Sequence, residues 1–114
     1  MASVLLVEDE SLIRMMVADM LAELGHTVAG EAGDVANGLT LASAPGLDAA
    51  ILDVQLGRES SAPIAEALQS RGIPFAFATG YAADGVPPDF NDRPVLQKPF
   101  PIDELERCLN RLLP

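Results

Sequence analysis

The chemically informative residues of this chain stand at the ends of short apolar runs. Glu8 and Asp9 follow the first run, Asp53 ends the third, Thr79 follows the fourth and Lys98 follows the fifth. Lys98 is also the only lysine, because all the other basic residues are arginines. Carboxylates, a hydroxyl and an ammonium group together form a set that could bind a metal cation and a phosphate group.

Three carboxylates brought to one place would repel one another, and their pKa values would rise unless a cation lay between them. Mg²⁺ suits such a place because it prefers hard oxygen ligands and leaves coordination sites open for water and phosphate. The Lys98 ammonium could neutralise one phosphate oxygen, and the Thr79 hydroxyl could donate a hydrogen bond to another. Each residue alone has an ordinary explanation, such as an acidic loop or a turn. The prediction of a Mg²⁺ and phosphate site therefore depends on their occurring together.

The apolar pattern predicts which elements bring these residues together. Five short apolar runs are typical of buried parallel strands, and the segments between them repeat apolar residues every three or four positions, as amphipathic helices do. The predicted strands cover residues 3–7, 27–31, 48–53, 74–78 and 95–97.

Helices are predicted over residues 12–24, 35–44, 60–71 and 102–112. We expect Ser11 and Asp34 to be the N-caps of the first two, and Gly25 to end the first. The stretch 79–94 contains glycine, proline and aspartate residues that break any long helix, so only a short or irregular helix is predicted there.

Alternating strands and helices imply an α/β fold in which one parallel sheet is covered by helices on both faces. Ligands of such open sheets bind beyond the carboxyl ends of the strands. The predicted strands end at the acidic residues, the threonine and the lysine, so we expect these side chains to meet at one edge of the sheet.

Composition restricts the classes of function. A length of 114 residues fits one domain, predicted over residues 1–114, and 17 acidic against 7 basic residues give a net charge of −10. Such a charge disfavours direct binding of nucleic acid. No apolar run approaches the roughly 20 residues of a membrane span. The single cysteine, Cys108, suits a reducing compartment, so we expect a cytoplasmic protein without a membrane segment.

Three stretches of the chain resemble the receiver domain of two-component response regulators. They are VLLVEDE at residues 4–10, LDVQL at 52–56 and KPF at 98–100, and the resemblance covers nearly the whole chain. The segment FATGY at 77–81 is similar to that of one receiver subfamily. The resemblance implies a flavodoxin-like (βα)5 three-layer fold with the strand order 2-1-3-4-5.

The resemblance also implies a reaction and a set of metal ligands. Asp53 would accept a phosphoryl group from a sensor histidine kinase or a histidine phosphotransfer protein, with the help of Mg²⁺. The metal would be held by Asp9, Asp53, the backbone carbonyl of Gln55 and, through water, Glu8. The chain would then be a phosphoacceptor switch rather than an enzyme, catalysing only its own phosphorylation and dephosphorylation.

The same resemblance assigns the switching residues. Thr79 and Lys98 would contact the phosphoryl group, and the Lys98–Pro99 peptide bond would be cis. Family members usually carry an aromatic residue three places before the lysine, where this chain has Val95, so Tyr81 becomes the candidate replacement. Engagement of Thr79 would rearrange the loop after the fourth strand and change the binding of a downstream protein target.

The sequence is also compatible with other functions. The chain could be a receiver-like scaffold or phosphate sink without output, or the receiver of a larger regulator or hybrid kinase. A hydrolase of the haloacid dehalogenase type would need a second acid two residues after the nucleophile, where Gln55 stands. A dinucleotide-binding module would need glycine after the first strand, and residues 7–11 contain none.

Overall fold

The protein consists of short strands that alternate with helices. The computed structural model describes residues 2–80 and 85–114. In chain order the elements are β1 (Ser3–Val7), α1 (Ser11–Glu23), β2 (Thr27–Ala32), α2 (Val35–Ala42), β3 (Ala49–Asp53), β4 (Gln55–Leu56), β5 (Glu59–Ser60), α3 (Ala62–Ser70), β6 (Phe75–Thr79), a 3₁₀ helix (Pro88–Phe90), β7 (Val95–Gln97) and α4 (Ile102–Leu112). None of the helices in these two ranges has the length and hydrophobicity of a transmembrane span.

The central sheet is parallel and has the order β2-β1-β3-β6-β7, which confirms the predicted order 2-1-3-4-5. The register places Val7 beside Leu52, Asp53 beside Ala78, and Thr79 beside Gln97. All five strands therefore end at the same edge of the sheet, where the candidate site residues follow.

The core lies on both faces of the sheet. Along β1, Leu5 and Val7 belong to the apolar cluster under α2 and α3, whereas Val4 and Leu6 belong to the cluster under α1 and α4. Every residue of β3 and β6 is buried, because these strands lie inside the sheet and helices cover both of their faces. Continuous apolar runs are typical of such strands, which explains why the sequence predicted them well.

The helix starts differ in part from the predictions. Asp34 caps α2 as expected, and its Oδ1 atom accepts a hydrogen bond of 2.8 Å from the Asn37 N–H. Ser11 is not the N-cap of α1 but its first residue, and the N-cap is Glu10. The reason is that the Glu10 carbonyl already accepts the first intrahelical hydrogen bond, 2.9 Å from the Arg14 N–H.

A short hairpin between β3 and α3 was not predicted. β4 and β5 pair antiparallel around Gly57, whose φ of +63° favours glycine. The next helix consequently begins at Ala62 rather than at residue 60, with Ser61 as its N-cap. The Ser61 N–H and hydroxyl both donate to the Val54 carbonyl, at 3.0 and 3.2 Å, and this closes the hairpin onto the end of β3.

Within residues 85–94 the structure has one turn of 3₁₀ helix, which agrees with the predicted short helix. Phe90 at the end of that turn is buried and packs against Phe75 and Phe77, with ring centroids 5.6 and 6.1 Å away. The Arg93 guanidinium lies 4.4 Å from the Phe75 ring centroid. These contacts fix the chain onto β6 shortly before it enters β7.

Candidate functional site

A cleft of about 700 Å³ opens at the carboxyl edge of the sheet. Its lining includes five residues that the sequence predicted for the site, Asp9, Asp53, Gln55, Thr79 and Lys98. They come from four separate segments of the chain, and the parallel register of β1, β3, β6 and β7 brings those segments together.

Three carboxylates form the acidic part of this site. Glu8, Asp9 and Asp53 each offer one carboxylate oxygen, and these oxygens lie within 4.8 Å of one another. Glu8 and Asp53 are buried, whereas Asp9 is exposed. Ligand oxygens around one Mg²⁺ lie at most about 4.2 Å apart, twice the usual metal–oxygen distance of about 2.1 Å. The three carboxylate oxygens therefore fit a hard divalent cation if the distances between them shorten by a few tenths of an ångström at most.

Lys98 links two of these carboxylates. Its Nζ atom donates hydrogen bonds to Glu8 Oε1 at 2.9 Å and to Asp53 Oδ2 at 3.2 Å. The Lys98 N–H donates to the Thr79 carbonyl at 2.7 Å, and the Lys98–Pro99 peptide bond is cis, as the sequence resemblance implied. The ammonium group thus lies inside the acidic cluster.

Two backbone N–H groups orient the acidic pair. Glu10 N–H donates to Glu8 Oε2 at 3.0 Å, and Gly57 N–H donates to Asp9 Oδ2 at 2.9 Å. Gly57 was not predicted as a site residue, although a glycine four residues after Asp53 was the available signal for a turn beside the site. The hairpin β4–β5 therefore holds Asp9 as well as shaping the wall of the cleft.

The other predicted residues take the following positions. Thr79 is buried at the end of β6, and Gln55 begins β4 in the wall of the cleft. Val95 is half-buried and pairs with Phe77 in the register of β6 and β7. Tyr81, the candidate switch residue, lies outside the described residues.

Charge and burial perturb the pKa values of this group. Burial, and then the negative charge of Glu8, raise the pKa of Asp53 to about 7, although Lys98 partly offsets this. The pKa of Lys98 is also raised, because its contacts with Glu8 and Asp53 outweigh the opposing effect of burial. Burial favours a higher pKa for Asp9, but its hydrogen bonds, first of all the one from the Gly57 N–H, outweigh this, and its pKa is lowered. One ammonium cannot neutralise both buried carboxylates, and the pKa of Asp53 is raised as a result.

These shifts predict how stability depends on pH in the absence of metal. The folded-state pKa of Asp53, about 7, exceeds its ordinary value of 3.8, so the folded protein binds this proton more tightly than the unfolded chain. The stabilising contribution is complete below the ordinary value and is lost as the pH rises through about 7. In thermal melts with a chelator present, the contribution of Asp53 to the melting temperature should therefore be more favourable at about pH 5.5 than at about pH 8.

The informative quantity is the difference between the wild type and Asp53→Asn, because other carboxylates titrate in the same range. As the pH rises, the melting temperature of the variant should increase relative to that of the wild type. A difference that is constant with pH would contradict the raised pKa of Asp53.

Comparison with known proteins bears on this arrangement. No family model matches the chain. Among solved structures, SdrG from Sphingomonas melonis Fr1 is 50% identical in sequence, with a TM-score of 0.89 over 98% of this chain and 96% of that chain. The structure of the BeF3-activated conformation of SdrG is 51% identical with a TM-score of 0.83, over 98% and 96% of the two chains.

Two further relatives agree with this match. The receiver (REC) domain of the response regulator PhyR from Erythrobacter litoralis is 26% identical, with a TM-score of 0.82 over 97% of this chain and 88% of that chain. The transcriptional regulatory protein PdtaR of Mycobacterium tuberculosis is 36% identical over 106 residues, which are 90% of this chain and 52% of PdtaR. The chain spans about half the length of PdtaR. Fold, strand order and relatives together show that the chain belongs to the receiver domains of response regulators.

Proposed function

We propose that this receiver accepts a phosphoryl group on Asp53 in a reaction that requires Mg²⁺. The observation that carries the proposal is the placement of the Asp53 carboxylate. It ends the buried strand β3, lines the cleft, lies close to the carboxylates of Glu8 and Asp9, and accepts a hydrogen bond from the ammonium of Lys98. A carboxylate so placed is accessible from one side as a nucleophile, and charged groups surround the position of an incoming phosphoryl group.

The reaction moves a phosphoryl group from a nitrogen or oxygen atom of the donor to a carboxylate oxygen of Asp53. A carboxylate oxygen of Asp53 forms a bond to phosphorus, while the bond from phosphorus to the histidine nitrogen or the acyl oxygen of the donor breaks, and the donor leaves with that electron pair. The chain mainly has to position the reactants and to neutralise charge. Lys98 lies 3.2 Å from Asp53 Oδ2, so its ammonium is placed to contact an oxygen of the transferred group.

The proposed metal ligands are Asp9, Asp53 and the Gln55 backbone carbonyl, with Glu8 bound through water. Mg²⁺, when bound, would neutralise charge on the transferring phosphoryl group and orient it. The cluster of three carboxylate oxygens supports this assignment, and so does the position of Gln55 in the wall of the cleft. Thr79, at the same edge, is proposed to donate its hydroxyl to the bound phosphoryl group.

The proposed donor is a sensor histidine kinase or a histidine phosphotransfer protein. Leu12, Met15 and Met16 of α1 are apolar and exposed. Met16 lines a small apolar groove together with Ile13 and Pro99, and the latter two residues also line the cleft. A donor protein whose histidine reaches Asp53 could cover this surface of α1, and apolar patches of this kind commonly mark protein contacts.

The proposed output is a change in the binding of a downstream protein through the loop after β6. Thr79 ends β6, directly before this loop, and it is the residue proposed to contact a phosphoryl group on Asp53. Tyr81 remains a predicted switch residue. We propose that the domain acts on no other substrate, that it catalyses only its own phosphorylation and dephosphorylation, and that it works in the cytoplasm without direct contact with nucleic acid or membrane.

Labelling with a small acyl phosphate tests the proposal. The protein should gain one phosphoryl group by intact-mass spectrometry when Mg²⁺ is present, and none when a chelator removes the metal. The metal is required because two buried carboxylates and Asp9 otherwise repel the incoming anionic group. Labelling that the chelator leaves unchanged would contradict the metal dependence, and a protein that takes no label with Mg²⁺ would instead be a scaffold of receiver fold.

A further inference from the structure

We propose that Arg14 is a positioning residue of the site, which holds the Glu8-Asp9 segment in the shape that binds Mg²⁺. The inference rests on the proposed function, because it assigns this residue a role toward the metal. Arg14 lies in the first turns of α1, and its side chain turns back to the end of β1 rather than into the cleft. Arg14 is therefore close to the metal ligands without being one of them.

Arg14 makes two polar contacts. Its Nη1 atom donates a hydrogen bond of 2.6 Å to the backbone carbonyl of Glu8, and its Nε atom lies 3.5 Å from Glu31 Oε1. The carbonyl belongs to the peptide group that joins Glu8 to Asp9, so this contact acts directly on the acidic pair. Glu31 is half exposed, so the ion pair with it contributes little stability. The hydrogen bond to the Glu8 carbonyl is therefore the contact through which Arg14 acts on the site.

Gly33 provides the space in which the guanidinium lies. A Cβ atom at this position would stand 2.9 Å from Arg14 Nη1 and 3.6 Å from the Glu8 carbonyl oxygen. Any other residue at position 33 would therefore push against the guanidinium. The end of β2 and the start of α1 are thus shaped around the contact between Arg14 and the Glu8 carbonyl.

The two backbone groups of Glu8 are both held by partners from other elements. Its N–H donates to the Ala32 carbonyl at 2.9 Å, and its carbonyl accepts from Arg14. Together these contacts fix the direction in which the chain leaves β1, and with it the positions of both carboxylates. Residues that orient metal ligands typically change metal affinity by 10- to 100-fold when removed.

The direction in which Arg14→Ala changes the affinity for Mg²⁺ distinguishes a positioning role of Arg14 from a purely electrostatic one. Arg14 is a cation beside a cation site, so its charge alone opposes the binding of Mg²⁺. If charge were its only influence, Arg14→Ala would bind Mg²⁺ more tightly than the wild type. Positioning predicts the opposite, a weaker affinity, because the Glu8-Asp9 segment loses its fixed direction.

Calorimetric titration of the full chain with MgCl₂ tests this inference. Arg14→Ala should raise the Kd for Mg²⁺ roughly tenfold. Gly33→Ala should raise it by a smaller factor, because the methyl group displaces the guanidinium without removing it. In the Arg14→Ala background Gly33→Ala should have no further effect, since the two substitutions act through the same contact. The control is Arg107→Ala, which removes an exposed arginine of α4 and should leave the Kd unchanged.

Thermal melts in chelator would show that each variant folds, and Gly33→Ala keeps the test valid even if Arg14→Ala is unstable. An unchanged or lower Kd in Arg14→Ala would overturn the inference, and so would equal effects of Gly33→Ala with and without Arg14. A wild type that does not bind Mg²⁺ would overturn the proposed function and with it the role of Arg14, whereas a wild type that binds and an Arg14→Ala protein that binds equally well would overturn the role of Arg14 alone.

Discussion

Asp53→Asn should abolish labelling by an acyl phosphate, with no label found on any other residue. The amide is not a nucleophile under these conditions, and other acids of the cluster are poorly placed to replace it. Glu8 is buried and accepts a hydrogen bond from Lys98, and Asp9 accepts one from the Gly57 N–H. Intact-mass spectrometry after incubation with Mg²⁺ and the acyl phosphate measures the result.

Asp48→Asn is the matched control for this variant. Asp48 precedes β3, at the opposite end of the strand from Asp53, and its Oδ2 atom accepts a hydrogen bond of 2.8 Å from the Ser3 N–H. The substitution makes the same chemical change far from the cleft, so labelling should equal that of the wild type. If Asp53→Asn is still labelled, another carboxylate is the phosphoryl acceptor.

Lys98→Met should destabilise the metal-free protein by about 3 kcal/mol at about pH 8. Methionine keeps most of the apolar stem that lines the groove beside α1, but it leaves Glu8 and Asp53 without the ammonium that they share. Breaking a buried ion pair typically costs 3–5 kcal/mol. We expect the low end because Asp53 can take up a proton and because the Lys98 side chain remains 15% exposed. Urea unfolding in a chelator measures the loss.

Two further variants check the reason for this loss. Arg107→Met breaks the exposed ion pair with Asp103, whose atoms are 3.4 Å apart, and should change the unfolding free energy by no more than about 0.5 kcal/mol. Combining Lys98→Met with Asp53→Asn should recover part of the stability, since it removes one of the two carboxylates left without a partner. A Lys98→Met protein as stable as the wild type would show that the ion pair contributes little.

Much of the fold could be predicted from the sequence. Buried parallel strands contain unbroken apolar runs, which is why Ser3–Val7 was predicted with its observed bounds. The bounds of the edge strand Val95–Gln97 were also predicted correctly, although only Leu96 in it is buried. A parallel sheet places the ends of its strands at one edge, so Glu8, Asp53, Thr79 and Lys98 had to meet there. The identity of the strands follows from patterns that repeat along the chain, whereas their order in the sheet was implied by the resemblance to receiver domains.

Other features of the site were decided by tertiary structure. The Gly57 N–H reaches Asp9 because the hairpin β4–β5 turns back toward β1, and the Arg14 guanidinium reaches the Glu8 carbonyl beside Gly33, where a Cβ atom would lie 2.9 Å from Nη1. Phe90 is held on the sheet by Phe75 and Phe77 rather than by any local helical pattern. Each contact joins segments with no shared periodicity and depends on distances of a few ångströms. Composition and spacing do not encode such distances, so only the packed chain determines which backbone groups hold the acidic pair in place.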